Sequence, residues 1–101
     1  MAKIVVLFNL KPGVSVEDYE AFARDTDLPI VNGLPSIDKF EVLRATGLLS
    51  GEPSPYAYLE ILEVNDMAQL GTDVSTPTMQ KVAETFRSMA DNPLFIVTEA
   101  L

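Results

Sequence analysis

The chain has 101 residues, 48% of them hydrophobic and 22% charged, which is typical of one globular domain and excludes a disordered chain. Fifteen acidic residues against seven basic ones give a net charge of -8, which argues against nucleic acid as a partner because phosphates would be repelled. Without cysteine or histidine the chain has no disulfides, thiolate nucleophiles or usual metal ligands, so acid–base chemistry must use Asp, Glu, Tyr or Lys.

No apolar run approaches the roughly 20 residues that cross a bilayer, so we expect no membrane partner. The N-terminus also lacks the basic start and cleavage site of a signal peptide. We therefore expect a cytoplasmic protein with a single domain over residues 1–101.

The first predicted strand runs from Lys3 to Leu10 and is apolar without alternation from Ile4 to Phe8. Both faces of such a strand must be covered, which makes it a central strand. The chain's own helices can cover one face of its sheet. We expect a second copy of the protein to cover the other.

A turn at Lys11-Pro12-Gly13 follows, and Ser15 is placed to cap a first helix from about Val16 to Arg24. The next stretch, from Arg24 through Asp27-Leu28-Pro29 to Asn32-Gly33, predicts an irregular loop, because a residue before proline avoids helical dihedrals. This loop concentrates charge, as functional loops often do.

A long second strand from Ser36 to Leu49, with a bulge at Gly47, and a third from Tyr56 to Val64 predict a hairpin. Asn65 or Asp66 then caps a short helical turn that ends at Gly71.

Thr76-Pro77 opens a longer helix that Asp91-Asn92-Pro93 ends, and Leu94 to Val97 forms a fourth strand. The order strand, helix, strand, strand, helix, strand predicts an α+β ferredoxin-like fold (βαββαβ) with a four-stranded antiparallel sheet. Its bare apolar sheet face would be buried by face-to-face dimerisation.

Over nearly its whole length the chain resembles the REDY-like proteins of the HapK type. The resemblance rests on residues 3–10, the KPGVS turn at 11–15, the DLP sequence at 27–29, residues 40–49 and the NPLFIVTE sequence at 92–99. It implies a dimeric α+β barrel and an association with the biosynthesis of red prodiginine-type tripyrrole pigments.

A more distant likeness is to EthD-like barrels and small polyketide cyclases, in which a Lys-Pro-Gly turn and first helix precede a His-x-Pro motif. Asp27 stands where that group has histidine, and Ala23 where it has a bulky aromatic residue. Histidine base catalysis is therefore not transferable, but a carboxylate occupies the same place.

Asp27 is the first candidate catalytic residue, as a general base or acid if burial raises its pKa. The alternative is a solvated loop carboxylate. Arg24 and Asp25 flank it, and Arg24 is also favourable at a helix C-terminus regardless of function. Asp25 and Asp27 without further ligands are a weak signal for Mg²⁺, so we expect no metal site and no cofactor.

Arg44 has the same strand parity as Phe40, so it points toward the apolar side of the sheet. Glu60 on the neighbouring strand is its expected partner, either in a structural ion pair or in a pocket where Arg44 orients a substrate. Tyr58 is a third candidate catalytic group.

Flat apolar residues could line a cavity for a planar ligand such as a pyrrole, although many such residues are simply core. Asn9 interrupts the first strand and either pairs with a loop or contacts a ligand. The candidate ligand-binding residues are Asn9, Tyr19, Phe22, Arg24, Asn32, Phe40, Tyr56, Glu60, Met79 and Phe86.

Two function classes follow. The first is a cofactor-free enzyme that promotes condensation, cyclisation or dehydration of a small aromatic metabolite. The second is a non-catalytic carrier of a hydrophobic pigment precursor, or an accessory protein that assists a partner enzyme. Cofactor-free oxygenation is disfavoured because the chain has no His or Trp to handle oxygen intermediates.

Overall fold

The computed structural model describes residues 2–101 and has one four-stranded antiparallel sheet in the order β2-β3-β1-β4. The elements in chain order are β1 (Ala2–Leu10), α1 (Val16–Phe22), a π-helical segment (Ala23–Asp27), α2 (Leu28–Asn32), β2 (Ile37–Arg44), β3 (Tyr58–Val64), α3 (Met67–Asp73), α4 (Pro77–Met89) and β4 (Ala90–Glu99). This is the predicted α+β ferredoxin-like fold, and the prediction is confirmed.

The first strand is central, as its unbroken apolar sequence predicted. β1 pairs with β3 on one side and with β4 on the other, both antiparallel. Val6 and Phe8 have no exposed surface, because they point toward the helices. Phe8 lies in an aromatic cluster with Tyr19, Tyr58 and Phe86, at ring-centroid distances of 5.0 to 5.6 Å.

The second strand ends earlier than predicted. β2 ends at Arg44, so Gly47 lies in the following connection and is not a bulge within the strand. The connection has its own contacts, since the side chain of Asn9 accepts from the Ala57 N–H and donates to the Pro55 carbonyl. These bonds link the connection to β1, and the Ala45 N–H still donates to the Ala57 carbonyl at 2.8 Å just after β2 ends.

The last strand is longer than predicted and begins directly after α4. β4 spans Ala90–Glu99, so Pro93 lies inside a strand. Proline is tolerated there because β4 is an edge strand. Asn92 has a φ of 45°, and the pairing register shifts between Leu7 and Asn9, so the strand adjusts locally around this position.

The predicted loop after α1 is helical instead. α1 ends at Phe22, and the chain continues through the π-helical segment into α2, which contains Pro29. Pro29 has no N–H to donate one turn back. The wider π turn accommodates this, because the Leu28 N–H donates to the Ala23 carbonyl five residues earlier.

The predicted helix caps are present. Ser15 accepts a hydrogen bond from the Asp18 N–H, Asp66 caps α3 by accepting from Gln69, and Thr76 accepts from the Met79 N–H. These side-chain oxygens satisfy N–H groups that have no partner within the helix. Within residues 2–101, every helix is too short or too polar to span a bilayer.

The sheet face opposite the helices is not covered by the described chain. Side chains that point to it form an apolar group in the middle of the sheet, and Leu43, Leu94 and Ile96 are each at least 40% exposed. The apolar residues of this open sheet face are Val5, Leu7, Leu43, Leu59, Ile61, Leu94 and Ile96.

Candidate active site

A cavity of about 590 Å³ lies between the inner face of the sheet and the helices. Most of its wall is apolar. The buried side chains that line it come from α2, β2, α4 and the neighbouring strands, and include Val31, Phe40, Met79, Val82 and Phe86. Apolar and aromatic walls of this kind suit a flat hydrophobic ligand.

Asp27 places its carboxyl group in this cavity and is only 4% exposed. It is the last residue of the π-helical segment, so the wide turn that Pro29 requires also orients this side chain. Burial raises the pKa of Asp27 from its usual value of 3.8 to about 6, because the charged form loses its hydration.

Glu60 lies in the same cavity and is 5% exposed. On β3 it points to the helix side together with Tyr58 and Leu62. Burial raises the pKa of Glu60 from 4.5 to about 8, and the nearby charge of Asp27 adds to this shift. The Tyr19 hydroxyl donates to Glu60 Oε2 at 3.5 Å, and this hydrogen bond opposes the rise in the pKa of Glu60 only weakly.

Neither carboxylate forms an ion pair with a Lys or Arg of residues 2–101. Because the pKa of Asp27 is about 6 and that of Glu60 is about 8, Asp27 is mostly ionised at neutral pH and Glu60 is mostly protonated. Two carboxyl groups whose surroundings separate their pKa values provide a general base and a general acid in one site.

The predicted pairing of Arg44 with Glu60 is wrong. In the β2–β3 register Val42 is opposite Glu60, whereas Arg44 is opposite Tyr58. Arg44 Nε instead donates to Glu20 Oε2 at 2.8 Å, because α1 crosses this end of the sheet.

Glu20 is the centre of a second polar cluster that sequence reasoning missed. The Tyr58 hydroxyl donates to Glu20 Oε2 at 2.8 Å, and Arg24 Nη2 donates to Oε1 at 3.2 Å. Hydrogen bonds from Arg44 and Tyr58 lower the pKa of Glu20 to about 2. The spacing of Glu20 and Arg24, one helical turn apart, was the available sequence signal.

This cluster lines a smaller pocket of about 200 Å³ beside α1, separate from the lining of the large cavity. It brings together four of the predicted site residues, which are Tyr19, Arg24, Arg44 and Tyr58. Tyr19 connects the two regions, because its hydroxyl faces Glu60 while the residue also lines the small pocket. Arg44 and Tyr58 thus bond to Glu20 and line the small pocket, whereas Asp27 lines the large cavity.

Four other candidate ligand-binding residues lie outside the lining of the large cavity. Asn9 pairs with the loop before β3, the first of its two predicted alternatives. Asn32 bonds to the Phe40 N–H and carbonyl and so aligns β2 with α2. Phe22 packs against the core, and Tyr56 is half-buried in the connection before β3.

Within residues 2–101, no three acidic side chains are grouped closely enough to bind a metal ion. The polar groups in the interior of the large cavity are Asp27, Glu60 and the adjacent Tyr19 hydroxyl.

A family model for the REDY-like protein HapK matches residues 2–101. The chain belongs to this family. A crystal structure of HapK from Hahella chejuensis is similar, with 26% sequence identity, a TM-score of 0.79 and coverage of 100% of this chain and 93% of that one. No curated protein sequence matches significantly.

Two further solved structures share the fold. An ethyl tert-butyl ether d (EthD) family protein from Bacillus halodurans has 18% identity and a TM-score of 0.78, with 100% of this chain and 99% of that chain covered. A dimeric ferredoxin-like protein of unknown function from Thermobifida fusca has 13% identity and a TM-score of 0.75, with 98% and 90% covered. At these identities the likeness concerns the fold alone.

Proposed function

We propose that this member of the HapK family is a cofactor-free enzyme that binds a flat aromatic metabolite in the large cavity and transfers a proton on it. The observation that supports the proposal best is the pair of buried carboxyl groups, Asp27 and Glu60, in an apolar cavity without a cationic partner. Burying two acids without partners is costly for a fold, and such perturbed groups cluster at active sites.

The chemistry follows from the two protonation states. Asp27, ionised, removes a proton from a C–H or N–H of the bound molecule, while Glu60, protonated, donates one to a departing hydroxyl or a carbonyl oxygen. In a dehydration these two transfers release one water and leave Asp27 protonated and Glu60 ionised. Proton transfer between the two groups or with solvent then restores the starting state. Condensation and cyclisation need the same two transfers, together with the orientation that the apolar walls provide.

For the substrate we propose a pyrrole-type intermediate of prodiginine-like pigment biosynthesis. The support is the family relationship together with the shape and polarity of the cavity. Phe40 and Phe86 offer flat surfaces against which such a ring can pack. A cytoplasmic location fits a role in secondary metabolism and is part of the same proposal.

For the assembly we propose a homodimer in which two open sheet faces pack together. Its support is the apolar character of that face, at which Leu43, Leu94 and Ile96 remain at least 40% exposed. Exposed apolar patches of this kind commonly mark interfaces. A relative of the same fold, from Thermobifida fusca, is described as dimeric.

The alternative is a non-catalytic protein that carries a hydrophobic pigment precursor or assists a partner enzyme. The absence of histidine and cysteine favours it. In that case the large cavity would bind the precursor without turnover, and Asp27 and Glu60 would serve only to position it.

Mass spectrometry of candidate pyrrole intermediates incubated with the protein in D₂O separates the two alternatives. Enzymatic proton transfer incorporates deuterium or forms a new product, and Asp27→Asn reduces this by at least about 100-fold while leaving ligand binding intact. Asp25→Asn is the matched control, because Asp25 is an exposed carboxylate two residues away. Binding without exchange or product would support the carrier alternative, and full activity of Asp27→Asn would exclude Asp27 as the base.

A further inference from the structure

The large cavity has an exposed rim with two basic side chains, Lys11 and Arg87. Lys11 directly follows β1, and Arg87 lies in the last turn of α4. The Lys11 N–H donates to the Met89 carbonyl at 2.8 Å, which holds these two elements together. Asp91 is on the same rim, so two positive charges and one negative charge leave it net positive.

These two cations are available to a ligand. Within residues 2–101 neither Lys11 nor Arg87 forms an ion pair, although fifteen carboxylates are present in the chain. Arg87 is favourable near the C-terminus of α4 whatever its function. A favourable interaction with a helix C-terminus does not explain Lys11, because Lys11 lies outside any helix.

The buried part of the cavity has the opposite character. Its polar groups are Asp27 and Glu60, and Glu60 is opposite Val6 in the β1–β3 pairing. Lys11 lies five residues further along the chain, which corresponds to roughly 16 Å of extended backbone. The cavity therefore has an acidic, apolar interior and a basic rim at some distance from it.

We propose that the cavity selects elongated aromatic molecules with an acidic group at one end, and that Lys11 and Arg87 bind this group at the rim. The apolar end then enters the interior, where Asp27 and Glu60 act. The opposite orientation is disfavoured because the ionised carboxylate would repel a ligand anion in a site of low dielectric constant. This inference rests on the proposed function, because it assigns the ligand class and orientation in the same cavity.

Two fluorescent dyes with a common skeleton test the proposal. 6-(p-Toluidino)naphthalene-2-sulfonate is elongated and has an acidic group at one end, and N-(p-tolyl)-2-naphthylamine lacks that group. Their Kd values are measured by fluorescence titration at low salt for the unaltered protein and for Lys11→Gln, Arg87→Gln and Lys81→Gln. Lys81→Gln is the matched control, since Lys81 is an exposed lysine of α4 that does not line the cavity.

We expect Lys11→Gln and Arg87→Gln each to weaken the sulfonate dye about three- to tenfold, as for partly exposed charge-assisted contacts. Binding of the neutral dye should not change, which also shows that the variants are folded. The loss should shrink at high salt because the rim is exposed. Competition by naphthalene-2-carboxylate, set against its neutral carboxamide, should show the same dependence on Lys11 and Arg87.

Equal responses of the two dyes, or an equal loss in Lys81→Gln, would overturn the inference and leave the proposed function intact. If neither dye binds, the cavity does not accept aromatic ligands, and both proposals fail.

Discussion

Asp27→Asn should make the stability of the fold less dependent on pH. The reason is that the pKa of Asp27 is raised by burial from 3.8 to about 6, and that of Glu60 from 4.5 to about 8. Between about pH 5 and pH 8 these two groups therefore bind more protons in the folded chain than in the unfolded chain. Stability must fall as pH rises through this window, the reverse of the usual behaviour of carboxylates.

The size of the effect follows from the shifts. One pKa unit corresponds to 1.36 kcal/mol, so Asp27 accounts for about 3 kcal/mol of lost stability in total, of which about 1.4 kcal/mol is lost between pH 5 and pH 8.5. Glu60 contributes a loss in the same direction, part of which comes from the Asp27 charge. Asp27→Asn should thus remove the loss of stability due to Asp27 and reduce the loss due to Glu60.

Urea unfolding at pH 5 and pH 8.5, at one protein concentration, measures this directly. The unaltered protein should be several kcal/mol less stable at pH 8.5 than at pH 5. In Asp27→Asn this difference should be smaller by at least about 1.4 kcal/mol, because Asp27 loses that much between the two pH values. Comparing the two pH values cancels the constant cost of burying an amide. Groups with lowered pKa values, such as Glu20 and Asp73, lose their contribution only at lower pH.

Asp25→Asn removes the same charge from an exposed position and should keep the full pH dependence, which separates burial from net charge. A flat profile for the unaltered protein, or an equal slope in Asp27→Asn, would refute the assignment of a buried, unpaired acid.

Three further predictions concern the fold and its assembly. Phe8→Ala should lower the unfolding free energy by about 3 to 5 kcal/mol in urea titrations, because Phe8 is fully buried among three aromatic rings. Asn32→Ala should cost about 1 kcal/mol by the same measurement, since it removes the bonds to the Phe40 backbone. Ile61→Asp on the open sheet face should convert the proposed dimer to a folded monomer in sedimentation velocity, whereas a dimer unaffected by this change would show that it forms through another surface.

The order of elements could be predicted because it depends on local patterns. The unbroken apolar run in β1, the caps at Ser15 and Thr76, and the alternation in β3 each act over a few residues. The path of the connection before β3 could not, because it is bonded to the side chain of Asn9, 46 and 48 residues away in the chain. Side-chain bonds over such separations leave no periodic signal.

In the candidate site, too, some features could be predicted from the sequence and others could not. Asp27 was singled out mainly because it stands where EthD-like proteins have the histidine of a His-x-Pro motif, but the helical geometry that buries it was missed. A π turn relieves the proline without breaking the helix, and single-sequence rules interpret such a proline as a break. Glu60 was named as the partner of Arg44 on the neighbouring strand. That pairing was wrong because Glu20, 24 residues before Arg44 in the chain, binds the arginine.

The contrast between the two polar clusters supports the assignment of roles. Glu20 has three donors from Arg24, Arg44 and Tyr58, and its lowered pKa shows that these contacts favour the charged form. Asp27 has no such donors, and the weak contact of Glu60 with Tyr19 does not prevent its pKa from rising. A fold that needed these acids only for stability would be better served by neutral side chains, because each weakens the fold at neutral pH. Groups that reduce stability and face an apolar cavity are what the trade-off between stability and activity leads us to expect of catalytic residues.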